Sequence, residues 1–124
     1  MIYADTDFFL ALLKDKDWLQ EKAIKIYQEH KSHITTSVTT IIELLLLAKR
    51  VSINPERLLI SVFEIVPSIT GIENNTALAA AHYVKENGVN VFDALHAAYC
   101  AEGEIISSDH IYDRIGIKRI VLEN

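Results

Sequence analysis

The alternation of strand-like and helix-like stretches along this chain predicts an α/β fold in three layers (α/β/α), a mostly parallel sheet of four to five strands between helices. Three observations carry that expectation. Short stretches that read as strands recur at residues 2–5, 33–36, 104–108 and 118–122, and the segments between them place apolar residues at helical spacing. Helix ends are marked by their chemistry, as in Asn54-Pro55-Glu56, where a capping side chain, a proline suited to the first turn and an acid suited to the helix dipole follow one another. The chain has 124 residues, 50% hydrophobic and 23% charged, with no Pro/Gly/Ser-rich linker, enough for one core and not two; residues 1–124 are expected to form a single domain.

The elements follow in order. Ile2-Tyr3-Ala4-Asp5 reads as a buried strand, with a turn at Asp5-Thr6-Asp7 and a short helix over residues 8–13. Asp17, with Gln20 three residues on, is expected to cap the next helix, whose apolar face is Trp18, Leu19, Ala23, Ile26 and Tyr27. A weak strand over 33–36 leads into a helix over 38–51, and the helix opened by Asn54 runs to about Ile65. Residues 66–69 are extended, and Pro67 suits an edge strand or a strand start there. A helix over 75–87 is stopped by Gly88, and one over 92–101 by Gly103. A strand over 104–108, a turn of helix at 110–114 and a last strand over 118–122 complete the chain.

A net charge of −5 argues against gripping nucleic acid through a general basic surface, which needs Lys and Arg to neutralise phosphates, but is compatible with a nuclease whose acids gather in a metal pocket. Apolar runs such as Leu44 to Ala48 are far short of the roughly 18 residues of a membrane span. The first ten residues carry Asp5 and Asp7 and no basic start, unlike a secretory signal. The single cysteine, Cys100, lies in the apolar stretch Ala97-Ala98-Tyr99-Cys100-Ala101 and reads as a packed thiol. A cytoplasmic location and no membrane partner are expected.

Asp5, Glu43, Asp93 and Asp109 each stand where a strand ends or a helix begins, in otherwise apolar surroundings. Burying an unpaired carboxylate is unfavourable, so several converging on one spot call for a cation. Parallel α/β sheets bind ligands at the carboxyl ends of their strands, and Asp5 and Asp109 meet there if the first and fourth strands are neighbours. Oxygen-only ligation suits Mg²⁺ or Mn²⁺, which can polarise a phosphoryl group and lower the pKa of an attacking water. Each acid also has a purely structural reading. Asp5 and Asp109 can cap the helices after them, Asp93 can serve a helix dipole, and Thr40-Ile41-Ile42-Glu43 spells a capping box. The run Val38-Thr39-Thr40-Ile41-Ile42 favours a helix start at Ser37, which would free Glu43 from that box.

Four segments, Ile2-Tyr3-Ala4-Asp5-Thr6-Asp7, Ser37-Val38-Thr39-Thr40-Ile41-Ile42-Glu43-Leu44, Phe92-Asp93-Ala94-Leu95-His96-Ala97-Ala98 and Ile106-Ser107-Ser108-Asp109-His110-Ile111-Tyr112-Asp113, resemble the successive motifs of the PIN-domain ribonucleases. They fall in the same order and cover nearly the whole chain. The resemblance implies a parallel sheet flanked by helices and endonucleolytic RNA cleavage dependent on Mg²⁺ or Mn²⁺. It implies that Asp5, Glu43, Asp93 and Asp109 are the catalytic and metal-binding quartet, with Thr6 and Ser107 or Ser108 hydrogen-bonding to them. Two positions depart from the pattern: Ile111 stands where many relatives carry a further acid, and Asp7 where Asn or Ser is common. Asp7 reads either as an extra carboxylate or as a cap, and is expected outside the direct ligands. Short stand-alone PIN proteins resemble the toxin of VapBC-type pairs, which implies a small antitoxin partner and an RNA substrate, single-stranded loops being the accessible targets. A PIN nuclease of RNA processing is the alternative.

Other classes fit less well. A phospho-acceptor receiver domain wants strict alternation and an acid ending a central strand, whereas two helices separate the second and third strands here. A haloacid-dehalogenase-type phosphatase shares the Asp5-x-Asp7 opening but wants Thr where Phe9 stands. A non-catalytic α/β interaction module would be separated by metal titration. His96 reads as hydrogen-bonded packing and His110 as exposed; Lys14, Lys16, Lys49, Arg50 and Arg114 read as solvated. The helix around Leu44-Leu45-Leu46-Leu47 is apolar on nearly every side, more than one core can cover. The surplus is expected to meet a second copy in a homodimer, or an antitoxin helix.

Overall fold

Strand β1 (Ile2–Ala4) is the centre of the sheet. In the computed structural model, which describes residues 1–67 and 69–123, β1 is flanked by β2 (Ile34–Ser37) and β4 (Glu104–Ser107), with β3 (Ile69–Thr70) beyond β2 and β5 (Lys118–Val121) beyond β4. Every pairing is parallel, with Tyr3 opposite Thr35 on one side and Ile105 on the other. The chain winds outward from β1 through β2 to β3, then returns to place β4 on the other flank. The reversal makes the carboxyl ends of β1 and β4 the switch point of the sheet. The Asp5 amide still donates to the Ile106 carbonyl at 3.0 Å, so the ladder continues into the residue that carries the first acid.

The helices are α1 (Thr6–Leu13), α2 (Gln20–His30), α3 (Val38–Val51), α4 (Pro55–Ile65), α5 (Asn74–Asn87), α6 (Val91–Cys100) and α7 (Ile111–Arg114). They cover both faces, as a parallel sheet requires. Successive strand residues point to opposite faces. Ala4, Ile34, Ile106 and Leu122 pack against Phe8 and Phe9 of α1, Ile26 of α2, Leu44 of α3 and Val62 of α4. On the opposite face Tyr3 and Ile105 meet Ala97 and Cys100 of α6 and Tyr112 of α7, and Ala80 and Ala94 join α5 to α6. No helix among the described residues is long and apolar enough to cross a membrane.

Several local expectations shift. Helix α2 begins at Gln20, and Trp18, placed on its apolar face from sequence, is 71% exposed. The cause is the competing turn at Asp17, whose carboxylate accepts from the Leu19 amide at 2.8 Å while Gln20 reaches back to the Leu12 and Lys14 carbonyls. His33 belongs to a 3₁₀ turn (Lys31–His33) rather than to β2. Of the extended piece expected over 66–69, Val66 is the residue capping α4, Ser68 lies outside the described residues, and the edge strand is Ile69–Thr70. Helix α6 ends before Gly103, with Ala101 taking the positive φ of 51°. Gly103 is required for close approach, since a Cβ there would meet the Met1 carbonyl at 3.2 Å and that of Cys100 at 3.3 Å.

The four consecutive leucines divide sharply, Leu44 being fully buried while Leu45 and Leu46 are 40% and 56% exposed. Leu44→Ala is expected to destabilise the protein by about 2–5 kcal/mol through the cavity it leaves. Asn54→Ala, which removes the carbonyl oxygen accepting from the Arg57 amide at 3.1 Å, is expected to cost about 1 kcal/mol. Urea unfolding with an unchanged m-value is the measurement for both, and equal losses would contradict the ranking.

Candidate active site

Asp5, Asp7, Glu43, Asp93 and Asp109 line one depression of about 390 Å³ at the carboxyl edge of the sheet, together with Thr6, Leu10 and Ser108. Each arrives by a different local device. Asp5 follows β1 and caps α1, its Oδ1 accepting from the Thr6 amide at 2.7 Å. Glu43 lies in the second turn of α3, because the helix starts at Val38 with Ser37 as its cap. The capping box at Thr40 therefore does not form, and Thr40 bonds the Thr36 hydroxyl instead. Asn90 caps α6, its Oδ1 accepting from the Asp93 amide at 2.9 Å while its Nδ2 donates to Asp93 Oδ2 at 2.8 Å. Asp109 follows β4 and accepts from the Ile111 amide at 2.9 Å, opening α7.

Hydroxyl groups tie these acids to one another. Thr6 Oγ1 donates to Glu43 Oε1 at 2.7 Å, and Ser107 Oγ donates to Asp5 Oδ2 at 2.8 Å while accepting from the Asp109 amide at 3.0 Å. Ser108 gives both its amide and its hydroxyl to Asp7 Oδ2. Asp7, expected to stand aside, thus belongs to the wall of the same depression, and its Oδ1 is a buried oxygen without a partner among the described residues. Arg119 donates to the Ser107 carbonyl at 2.8 Å and forks onto Asp113, steadying the segment that carries Asp109.

His96 was legible only as packing. It is 1% exposed and hydrogen-bonded, but its partners are Tyr3, at 2.6 Å, and Glu43, with Asp5 Oδ1 3.4 Å from the same Nε2. Its position three residues after Asp93, on the same side of α6, was the available signal. Asp5, Glu43 and His96 bring three donor atoms close enough to surround one ion. His110 is exposed, as expected, and pairs with Glu123.

The electrostatics follow from burial and crowding. Burial raises the Asp5 carboxyl above its ordinary value against the opposing pull of His96. Burial, then the neighbouring Asp5 charge, pushes Asp7 up to about 6. Burial followed by Asp109 raises Asp93. Burial pushes Glu43 up as well, but the His96 hydrogen bond, the His96 charge and the Thr6 hydroxyl together hold it below the ordinary carboxylate range, and His96 is correspondingly held above the ordinary imidazole range despite its own burial. Crowded oxygen donors of this kind gain from a hard divalent cation that offsets their mutual repulsion. A second cleft of about 490 Å³ adjoins the acids, sharing Thr6, Leu10 and Glu43 and adding Leu46, Leu47, Phe92 and Arg50.

Comparison with known proteins gives a consistent result. The family model described as PIN domain matches residues 2–118. The fold is similar to FitAcB from Neisseria gonorrhoeae, with a TM-score of 0.78 and 19% identity over 98% of each chain. It is similar also to Mycobacterium tuberculosis VapC20, described as a Sarcin-Ricin loop cleaving toxin, with a TM-score of 0.77 and 16% identity over 94% of this chain and 96% of the other. DNA-bound VapBC from Salmonella typhimurium matches with a TM-score of 0.73 and 19% identity over 98% and 97% of the two chains. No curated protein matches the sequence.

A carboxyl whose folded pKa is raised contributes stability that is complete below its unfolded value and is lost as pH rises through the folded one. For Asp7 the window runs from near 3.8 to about 6. The metal-free Asp7→Asn variant should therefore melt increasingly above the metal-free wild type as pH is raised through about 6. A difference in melting temperature that stays flat from about pH 4 to 8 would contradict the placement of Asp7 among the acids.

Proposed function

The chain belongs to the PIN-domain family, and from that premise we propose that residues 1–124 act as one divalent-metal-dependent endoribonuclease domain, the cytoplasmic toxin of a toxin–antitoxin pair. The convergence of acids from β1, α3, α6 and the β4–α7 segment on one depression carries this reading. The donor set fits a hard cation: carboxylates crowded enough that burial and mutual repulsion raise three of them, with Asp7 Oδ1 buried and unpartnered. Asp5, Glu43, Asp93 and Asp109 are the residues we assign to hold Mg²⁺ or Mn²⁺. When bound, such an ion polarises the scissile phosphoryl group and lowers the pKa of the attacking water.

The chain's own residues do the rest. Thr6 and Ser107 hold Glu43 and Asp5 in fixed orientations, and Ser108 does so for Asp7. Arg50 is the cation lining the adjoining cleft, where it offsets the charge of an incoming phosphate, and Phe92 gives an apolar wall to a base. RNA as substrate is supported by the likeness to VapC20, described as cleaving the Sarcin-Ricin loop, and an antitoxin partner by the likeness to chains of VapBC and FitAB complexes. Exposed Ile42, Leu45 and Leu46 of α3 and Ile60 and Phe63 of α4 form apolar surface that a homodimer would cover.

Purified Asp5→Asn and Asp93→Asn should remain folded and lose Mn²⁺-supported RNA cleavage by on the order of a hundredfold or more, as loss of one electrostatic group does in other active sites. Millimolar Mn²⁺ should raise the wild-type melting temperature at neutral pH. Wild-type cleavage rates in either variant contradict the assignment. Independently, sedimentation at micromolar concentration should give twice the 14.0 kDa chain, and Leu46→Glu should return it to monomer; a wild-type monomer rules the homodimer out.

A further inference from the structure

A buried chain of hydrogen bonds runs behind the acids, linking four side chains from three parts of the sequence. Ser37 Oγ, where β2 meets α3, lies 2.6 Å from the Tyr3 hydroxyl of β1, which lies 2.6 Å from Nδ1 of His96 on α6. The other ring nitrogen, Nε2, bonds Glu43 Oε1 on α3 and faces Asp5 Oδ1 at 3.4 Å. Tyr3, Ser37 and His96 are 3%, 0% and 1% exposed, so the chain is shielded from bulk solvent.

We propose that His96 is a positioning residue of the cation site, holding the Glu43 carboxylate through Nε2–H so that its second oxygen is presented to the depression, while Tyr3 and Ser37 fix the ring. This rests on the metal-dependent reading above. An ionised carboxylate only accepts hydrogen bonds, so the nitrogen facing Glu43 carries the proton whether the ring is neutral or charged. A protonated ring nitrogen has no lone pair for a metal, and His96 therefore acts through Glu43 rather than as a ligand. Thr6 Oγ1 donates to the same Oε1 at 2.7 Å, occupying it from a second direction. Oε2 receives no hydrogen bond among the described residues and is the oxygen left for an ion. A long glutamate side chain held in this way gives up its rotamer freedom before the ion arrives rather than upon binding. The Tyr3 hydroxyl suits either state of the ring, since it can donate to Nδ1 or accept from it, with Ser37 completing the pattern. Placement of His96 one turn beyond Asp93 lets a single helix supply both an acid and the ring that orients another.

The test is Mn²⁺ binding by the full chain, followed by calorimetry and by the electron paramagnetic resonance signal of free Mn²⁺, in wild type, His96→Leu, His96→Gln and Tyr3→Phe. His96→Leu should bind Mn²⁺ about 10–100-fold more weakly, as loss of an orienting partner does at other metal sites. His96→Gln, whose amide can still donate to Glu43, should recover most of that loss, and Tyr3→Phe should fall between. At limiting Mn²⁺ the His96→Leu variant should lose kcat while its KM for RNA is unchanged. A folded His96→Leu that binds Mn²⁺ like wild type overturns the proposal and leaves the metal reading intact. A ¹⁴N coupling in the spin-echo spectrum of Mn²⁺-loaded wild type also overturns it, by making His96 a ligand. If wild type binds no Mn²⁺, the metal reading fails and takes this inference with it. Should His96→Leu not fold, Tyr3→Phe decides, and wild-type affinity there counts against positioning.

Discussion

Like-charged carboxylates stay together at the carboxyl edge of this sheet only because donors from distant parts of the chain are built in around them. Asp5 alone receives a backbone amide, the Ser107 hydroxyl and the approach of a buried imidazole, and burial still raises its carboxyl. The parallel pairing of β1 with β4 is what brings these groups within reach, since it sets the segment carrying Asp5 beside the one carrying Ser107, Ser108 and Asp109. Had the chain wound in one direction only, the same residues would lie on separate strands with no crevice between them.

Structural and chemical roles are not alternatives at this site. Asp5 and Asp109 each accept a backbone amide at a helix start, the modest work that capping predicts from sequence, while the Asp93 carboxylate accepts from the side-chain amide of Asn90, the residue that caps its helix. A carboxylate has two oxygens, and using one as a cap fixes the other in space. Helix starts clustered at one sheet edge thus provide rigid carboxylates at little entropic cost, and their partial positive ends favour the charged form. Glu43 is the exception, lying inside a helix, and it is held by the Thr6 hydroxyl and His96 instead.

Much of this was legible in the sequence because strand and helix periodicities differ and because Asn54-Pro55, Gly88 and Ser37 punctuate the helices with the residues their geometry requires. Asp5, Asp93 and Asp109 were legible as well, since each sits at a change of period, whereas Glu43 lies within a helix. Trp18 went astray because helical spacing cannot register a short aspartate turn that ends the pattern early. The parts of the site that escaped were those defined by neighbours in space. Asp7 and His96 have unremarkable local contexts, and their significance comes from Ser108 and Glu43, 101 and 53 residues away. Burial is a property of the folded arrangement, so no spacing rule could place His96 between Tyr3 and the acids.

The Asp5–Ser107 hydrogen bond spans 102 positions, which has a bearing on how the molecule is made. A ribosome adding about 5–20 residues per second holds the first strand for several seconds before the fourth exists to pair with it. Through that interval Asp5 has neither its serine donor nor Asp109 beside it, and the crevice has one wall. The late element in this topology completes the acidic crevice as well as that flank of the sheet. A nascent chain that has not yet extended as far as β4 therefore lacks the serine donor and one wall of the acidic crevice.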